Sequence, residues 1–167
     1  MKVKILILLI FISLINCKSV EKTPMVNYNI KLSDYIKMYS EQGLISEDPL
    51  IIVNSKPYKL YSELNEDDKD LMEQSARSYS YIKQKSKYFL EKLGARAYGG
   101  IVHIKKVIVL YCGISYKRDY LINGKLSTFE EFNKLFFIER NYKYYNSIDR
   151  LELGENKYIS ISIIETK

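Results

Sequence analysis

The chain lacks tryptophan and has one histidine, two cysteines and three prolines. One imidazole and two thiols are too few for a Cys₄ or Cys₂His₂ zinc site, and two cysteines exclude a disulfide-dense scaffold. The chain instead has 16 tyrosines, and of its 167 residues 47% are hydrophobic and 28% charged. This composition is typical of one globular domain, not of a disordered segment. We therefore expect a single fold with no cofactor and no metal.

The N-terminal residues have the composition of an export signal. They read MKVKILILLIFISLINC, in which two lysines precede the apolar run Ile5–Ile15. That run is shorter than the ~20 residues that span a bilayer comfortably. A buried N-terminal helix and a single membrane anchor are the alternatives. The basic start, the short run and the polar stop at Asn16 favour a signal peptide over residues 1–16.

Leu14-Ile15-Asn16-Cys17 resembles the lipobox of bacterial lipoproteins. In that family the cysteine becomes the first mature residue and carries acyl chains such as palmitate, which makes Cys17 the expected lipidation site. Asn16 departs from the usual Gly, Ala or Ser, so plain cleavage and a retained anchor are the alternatives. The resemblance implies a bacterial cell envelope protein, an outer-membrane lipoprotein on the periplasmic or the outer surface. Residues 17–26 would then be a tether to a domain over residues 27–167.

The formal net charge of +6 is a mild basic excess, and loss of the signal peptide would lower it. Nucleic-acid binding predicts clustered basic residues with stacking aromatics. The segment Tyr79–Tyr88, in which lysines alternate near tyrosines, matches this pattern weakly. Because an exported protein rarely meets nucleic acid, we expect no nucleic-acid partner.

In the N-terminal part of the chain, the apolar spacing predicts two helices around one strand. Ser33 is the expected N-cap of a helix over Ser33–Gln42, and Gly43 is its expected C-terminal stop. Leu50–Val53 has the apolar run of a strand buried on both faces. Asn65 is the expected N-cap of the next helix, whose first turn is acidic.

Further along the chain the pattern is mixed. Residues 71–88 fit a helix or a strand, and Tyr88–Leu93 fits a helix that Gly94 ends. Asn123-Gly124 predicts a type I′ hairpin turn, because both residues accept positive φ. The other expected features are a capping box over Ser127–Glu130, a core stripe of Phe129, Phe132 and Phe136, and strands over Ile148–Leu153 and Tyr158–Ile164.

Two stretches of the sequence echo each other. LIIVNSKPY at Leu50–Tyr58 and YLINGKL at Tyr120–Leu126 both read as a strand, an Asn-small-Lys turn and then a helix. Each is followed later by a β-branched strand ending in lysine, at Ile101–Lys105 and Ile159–Lys167. The pattern predicts an α+β fold, a small mixed sheet with flanking helices, arranged as two similar half-domains.

The chain also resembles the plug domain of TonB-dependent outer-membrane receptors. Pro49–Pro57 resembles the family's first element and Leu93–Ile104 its glycine-spaced third element, while Ile148–Leu153 resembles the middle one. The family's usual Asp-Gly is here Asn54-Ser55. The resemblance implies a plug-like domain, but the receptor barrel needs over ~200 residues for its walls alone. The chain would therefore be a free-standing plug-like module and not a transporter.

An enzyme would have to use His103, the only imidazole, with Cys112 as the obvious nucleophile. If residues 101–112 form one strand, the two side chains point to opposite faces about 30 Å apart. A chain reversal within Lys105-Lys106 would remove both objections, so this alternative stays open, with His103 as a partly exposed strand residue. The glycines of Gly94–Gly100 lead into a strand, which is the reverse of a phosphate-binding loop.

We therefore expect a non-catalytic binding or assembly module, and an exported enzyme of unknown chemistry that uses His103 is the alternative. Tyr142, Tyr144 and Tyr145 form a candidate exposed aromatic patch, with a core edge as the other interpretation. Arg96 and Tyr98 belong to a glycine loop that we expect to be flexible and to bind a partner. The expected partners are the membrane, through the lipid anchor, and another envelope protein.

Overall fold

The computed structural model describes residues 30–106, 117–155 and 157–167. The expected signal peptide, Cys17, the tether and Cys112 lie outside the described residues. The described helices are α1 (Leu32–Glu41), α2 (Glu66–Ser75), α3 (Lys87–Leu93) and α4 (Phe129–Asn133). The described strands are β1 (Leu50–Val53), β2 (Lys56–Leu60), β3 (Ser78–Ile82), β4 (Ile101–Lys105), β5 (Arg118–Ile122), β6 (Lys125–Ser127), β7 (Tyr144–Gly154) and β8 (Lys157–Glu165). Turns of 3₁₀-helix follow β2 (Tyr61–Glu63) and α3 (Gly94–Ala97), and a π-helical turn (Lys134–Ile138) continues α4.

The strands form two four-stranded sheets with the same order, β2-β1-β4-β3 and β6-β5-β8-β7. In each sheet a hairpin supplies the first two strands, the two central strands run parallel, and the last strand is antiparallel. We call residues 30–106 the first half and residues 117–167 the second half. The predicted α+β class and the two similar half-domains are thus confirmed. The echoing segments build equivalent hairpins, so each turn leads into a strand, β2 or β6, and not into a helix as expected.

The halves differ in how their last two strands connect. A short turn joins β7 to β8, and Gly154 of β7 pairs with Lys157 of β8 next to this turn. In the first half, α3 and the Gly94–Ala97 turn lie between β3 and β4. The connection between the last two strands therefore contains helical segments in the first half, whereas in the second half its described residues contain none.

One hydrophobic core joins the two sheets. Ile52 and Ile101 from the first sheet belong to the same buried cluster as Leu121, Ile148 and Ile161 from the second. Burial of such side chains is the main favourable contribution to folding, about 25 cal/mol per Å² of apolar surface removed from water. Because the cluster draws on both sheets, the two halves stabilise each other.

A second core lies on the other face of the first sheet, under α1 and α2. Both helices, β1 and β4 contribute aliphatic side chains to it: Leu32, Ile36, Ile51, Met72, Val102 and Ile104. Tyrosine rings extend this core in pairs with centroids 4.5–5.2 Å apart: Tyr39 on Tyr81, Tyr81 on Tyr144, and Tyr35 on Tyr79. In a chain without tryptophan, tyrosines thus provide the large aromatic core side chains.

Several predicted elements are confirmed. β1 is buried on both faces apart from its last residue, and the Asn65 side chain caps α2 by accepting from the Asp68 amide at 2.7 Å. Residues 71–88 prove to be helix, strand and helix in turn, since α2 runs to Ser75, β3 covers Ser78–Ile82 and α3 begins at Lys87.

Two expected helix starts are wrong by one or two residues. Ser33 lies inside α1, whose N-cap is Lys31 with no side-chain cap. The capping box is formed by Thr128 and Glu131, not by Ser127 and Glu130, because the Thr128 side chain accepts from the Glu131 amide. The second error arises because the neighbouring residues Ser127 and Thr128 both offer a capping oxygen.

The expected phenylalanine stripe is only partly core. Phe132 is buried, whereas Phe129 is exposed. The α-helix ends at Asn133 and continues as a wider π-helical turn, in which the angle between successive side chains is smaller. The 3.6-residue spacing on which the stripe was predicted therefore does not hold beyond α4.

Candidate functional site

His103, the candidate catalytic residue, lies in the centre of the first sheet. It pairs with Ile52 of β1 on one side and with Ser80 of β3 on the other. Only 1% of its surface is exposed. The expectation of a partly exposed residue is wrong, because β4 is an inner strand and the second sheet covers this face.

The imidazole is held in one orientation. Its Nε2 donates to the Asn54 carbonyl, which fixes the proton on that nitrogen. Asn146 of β7 approaches the ring, and its Oδ1 accepts from the Ser80 hydroxyl at 3.1 Å. Among the described residues, His103 Nδ1 and Asn146 Nδ2 have no hydrogen-bond partner.

Burial lowers the pKa of His103 to about 4, and the nearby positive charge of Lys105 adds to this shift. The ring is therefore neutral at pH 7. Its one free nitrogen points into the interior, so it cannot accept a proton from a molecule in solvent without local opening. Cys112, the proposed nucleophile, lies outside the described residues. Within the described ranges, no group of three His, Cys, Asp or Glu side chains is placed to hold a metal ion.

The segment Gly94–Gly100 was expected to be flexible, and that expectation is wrong. The Gly99 and Gly100 carbonyls accept from the amides of Ser46 and Leu50 at 2.7 and 3.0 Å. A Cβ on Gly99 would lie 2.2 Å from Ser46 Oγ, and Gly100 has φ +90° with the Ile82 carbonyl 2.8 Å from the position of a Cβ. Here the glycines permit close packing of the backbone and do not provide mobility.

Arg96 and Tyr98 lie on the surface of this rigid segment. Arg96 Nη2 donates to the Tyr58 carbonyl at 2.6 Å, and Tyr98 is exposed with Lys85 Nζ 5.8 Å from its ring centre. Arg96 also lines a cleft of about 330 Å³ with Lys56 and Glu152. Both predicted residues are therefore accessible to a partner, although their segment is fixed.

The three tyrosines do not form one exposed patch. Successive residues of a strand point to opposite faces. Tyr144 turns inward, stacks on Tyr81 and donates to the Tyr81 carbonyl at 2.6 Å. Its burial raises the pKa of the phenol, which stays protonated at neutral pH. Tyr142 and Tyr145 instead pack on Phe136 at 4.9 and 4.7 Å. All three are half-buried, so they fit the core-edge interpretation and not the exposed patch.

The exposed apolar side chains of the second half lie nearby, on other residues. Leu126, Phe129, Phe137 and Ile138 have 51–71% of their surface exposed, and we call them the β6–α4 patch. Of these, Leu126 lines a groove of about 410 Å³ between β6 and the helical segment, and the other apolar residues of its lining are Ile122 and Leu135. Four charged residues also line the groove: Lys125, Glu131, Lys134 and Glu139.

Sequence reasoning missed this patch, although a signal was present. Leu135–Ile138 is a run of four consecutive apolar residues in a helical segment. One helix face cannot bury four successive side chains, so some of them must face solvent or a partner. The exposed apolar side chains therefore follow the Phe136 ring that packs on Tyr142, on residues that the sequence analysis did not name.

The chain matches no protein-family model and shows no significant similarity to a curated protein or to a solved structure. Among the residues that the structure describes, no helix is both long and apolar enough to cross a membrane.

Proposed function

We propose that this chain is a lipid-anchored protein of the bacterial cell envelope, an outer-membrane lipoprotein, and that its domain is a non-catalytic module that binds another envelope protein. The lipobox-like sequence ending in Cys17, behind a basic and apolar N-terminus, supports the anchor. The likeness to plug domains belongs to the same proposal: a module of this kind without a barrel would act by contact with a partner.

The β6–α4 patch is the observation that carries the binding role. Four large apolar side chains are exposed in this part of the second half, and exposed apolar surface on a folded domain marks interaction sites. The charged residues along the groove resemble the polar rim that surrounds the apolar centre of protein interfaces. In addition, β6 is a strand of three residues at the edge of its sheet, and among the described strands none pairs with its outer backbone groups.

The alternative, an exported enzyme that uses His103, has less support. A catalytic imidazole must reach the proton that it moves, through hydrogen bonds of about 3 Å. His103 is almost completely buried and already donates to a backbone carbonyl. We therefore assign His103 to the packing of the two halves and not to catalysis.

Replacing the patch should abolish partner binding without unfolding the domain. Leu126→Ser, Phe137→Ser and Ile138→Ser together should lower co-purification of the partner from native membranes by about tenfold or more, because apolar anchors dominate interface energies. Leu71→Ser with Tyr58→Ser is the matched control, since both residues are exposed apolar side chains elsewhere. An equal loss in patch variant and control, or unchanged recovery with the patch variant, would contradict the proposal.

The anchor is tested separately. Cys17→Ala should move the protein from the detergent phase to the aqueous phase or leave it unprocessed, because the acyl chains would supply the membrane affinity. Detergent phase separation and N-terminal sequencing of the mature protein measure this. Two results together would refute lipidation. The Cys17→Ala variant would still partition with lipid, and the mature wild-type protein would begin at a residue other than residue 17.

A further inference from the structure

A cavity of about 340 Å³ opens where the two halves meet, beside the β5–β6 turn. The first half contributes the end of β3 and the start of α3, and the second half contributes residues of β5, β7 and β8. We call it the seam cavity. Its volume is at the lower end of the 300–1,000 Å³ that is typical of small-molecule sites.

The floor of the seam cavity is apolar and fixed. Ile82, Phe89, Leu121 and Ile163 line it, and all four are buried members of the core that joins the two sheets. Tyr144 adds an aromatic wall and is held in place by its hydrogen bond to the Tyr81 carbonyl.

The rim of the cavity is positive. Its charged residues are four lysines and one carboxylate: Lys83, Lys85, Lys87, Lys143 and Glu165. Glu165 is paired with Lys83, at 2.9 Å, and Lys87 lies 4.0 Å from Glu91. Lys85 and Lys143 have no carboxylate within salt-bridge distance among the described residues, and Lys85 Nζ lies over the Tyr98 ring, 5.8 Å from its centre. A low-dielectric cleft with charge of one sign at its rim attracts the opposite charge.

The backbone places these two lysines at the cavity. Lys85 has φ 59°, and its amide donates to the Tyr98 carbonyl at 2.9 Å, so the chain turns sharply at this residue. The Lys143 amide donates to the Glu165 carbonyl at 2.8 Å. Each lysine thus extends from a fixed point, one in each half, beside the same apolar floor.

The geometry points to a ligand site in the seam cavity for a small amphipathic anion. A ring or short aliphatic group would pack on the floor, and a carboxylate or phosphate would pair with Lys85 and Lys143. Such an anion could come from a free solute or from the headgroup end of a phospholipid. The site is separate from the β6–α4 patch, since Leu121 lines the cavity while Ile122, on the opposite face of β5, lines the groove.

Binding is tested by titrating the full-length protein in detergent with phenyl phosphate and with dihexanoyl phosphatidic acid, by calorimetry and amide resonance shifts. Inorganic phosphate and benzyl alcohol are the controls that lack the apolar group or the charge. We expect one or both amphipathic anions to bind and to shift the resonances of Leu121 and Gly124. Phenyl phosphate alone would indicate a free solute, and a clear preference for the phosphatidic acid would indicate a lipid.

The charge requirement is tested with Lys85→Gln combined with Lys143→Gln. Loss of two charge-assisted contacts should weaken binding at least about tenfold. Lys37→Gln with Lys157→Gln removes the same charge from exposed positions elsewhere and should leave the affinity unchanged. The proposal is overturned if neither amphipathic anion binds, if benzyl alcohol binds equally well, or if both double variants behave alike.

Discussion

At the scale of single residues, His103 shows how one buried polar side chain links distant parts of the chain. Its ring donates to the Asn54 carbonyl at the β1–β2 turn and approaches Asn146 on the opposite sheet. Lys105, two residues along the same strand, is itself half-buried, and burial lowers its pKa. The region between the sheets is therefore suited to a neutral imidazole and disfavours a charged one.

This environment predicts a specific pH dependence of stability. The pKa of His103 is about 4 in the folded protein against an ordinary value of 6.5, so the unfolded chain binds more protons between these values. The free energy of unfolding should then rise by roughly 3 kcal/mol from pH 4 to pH 6.5 through this residue alone. Urea unfolding of wild type and His103→Gln across this range isolates the contribution, because glutamine does not titrate.

The matched pair also provides the control. Carboxylates contribute to the pH dependence of both proteins. Only the difference in free energy of unfolding between the wild type and His103→Gln therefore reports the imidazole. A difference that stays constant from pH 4 to pH 7 would mean that the imidazole is accessible in the folded state, and it would reopen the enzyme alternative.

At the scale of secondary structure, the two hairpin turns organise each half. Asn54 and Asn123 both adopt positive φ, 55° and 52°, at equivalent positions between the paired strands. In the second half Gly124 follows at φ +79°, as a type I′ turn requires. The Asn123 side chain also binds Thr166: its Oδ1 accepts from the Thr166 amide at 3.0 Å, and its Nδ2 donates to the Thr166 hydroxyl at 2.9 Å.

Gly124→Val should destabilise the domain by about 1–2 kcal/mol, because a β-branched residue is strained at positive φ. No atom lies within 4 Å of a Cβ at this position, so the effect should come from backbone strain alone. Gly124→Asn is the control, since asparagine tolerates this conformation and should cost much less. Chemical denaturation measures both, and equal stability of the valine variant and the wild type would contradict the turn assignment.

Local signals predicted much of the fold. The Asn-Gly turn, the Asn65 cap and the apolar strand Leu50–Val53 depend on short-range chemistry, and all are confirmed. The exposure of His103 was predicted wrongly, and that of Tyr144 was left open between two interpretations, because both depend on how the second sheet packs on the first. Burial of that kind arises from contacts distant in sequence, which no local pattern contains.

At the scale of the whole molecule, the two halves depend on each other. They share the core between the sheets, and the Tyr88 hydroxyl donates to the buried carboxylate of Asp119 at 2.6 Å across the seam. Ser55 adds a link from the first hairpin to β7, where its carbonyl accepts from the Glu152 amide at 2.9 Å. The repeated topology thus forms one rigid support, with the β6–α4 patch exposed on the outer face of the second sheet.

Site-specific photocrosslinking in native membranes tests whether the β6–α4 patch contacts another envelope protein directly. A photoreactive amino acid in place of Phe137 should give one discrete adduct with another envelope protein, identified by mass spectrometry. The same amino acid in place of Leu71, equally exposed on α2, should give none. No adduct from Phe137, or the same adduct from both positions, would contradict the account.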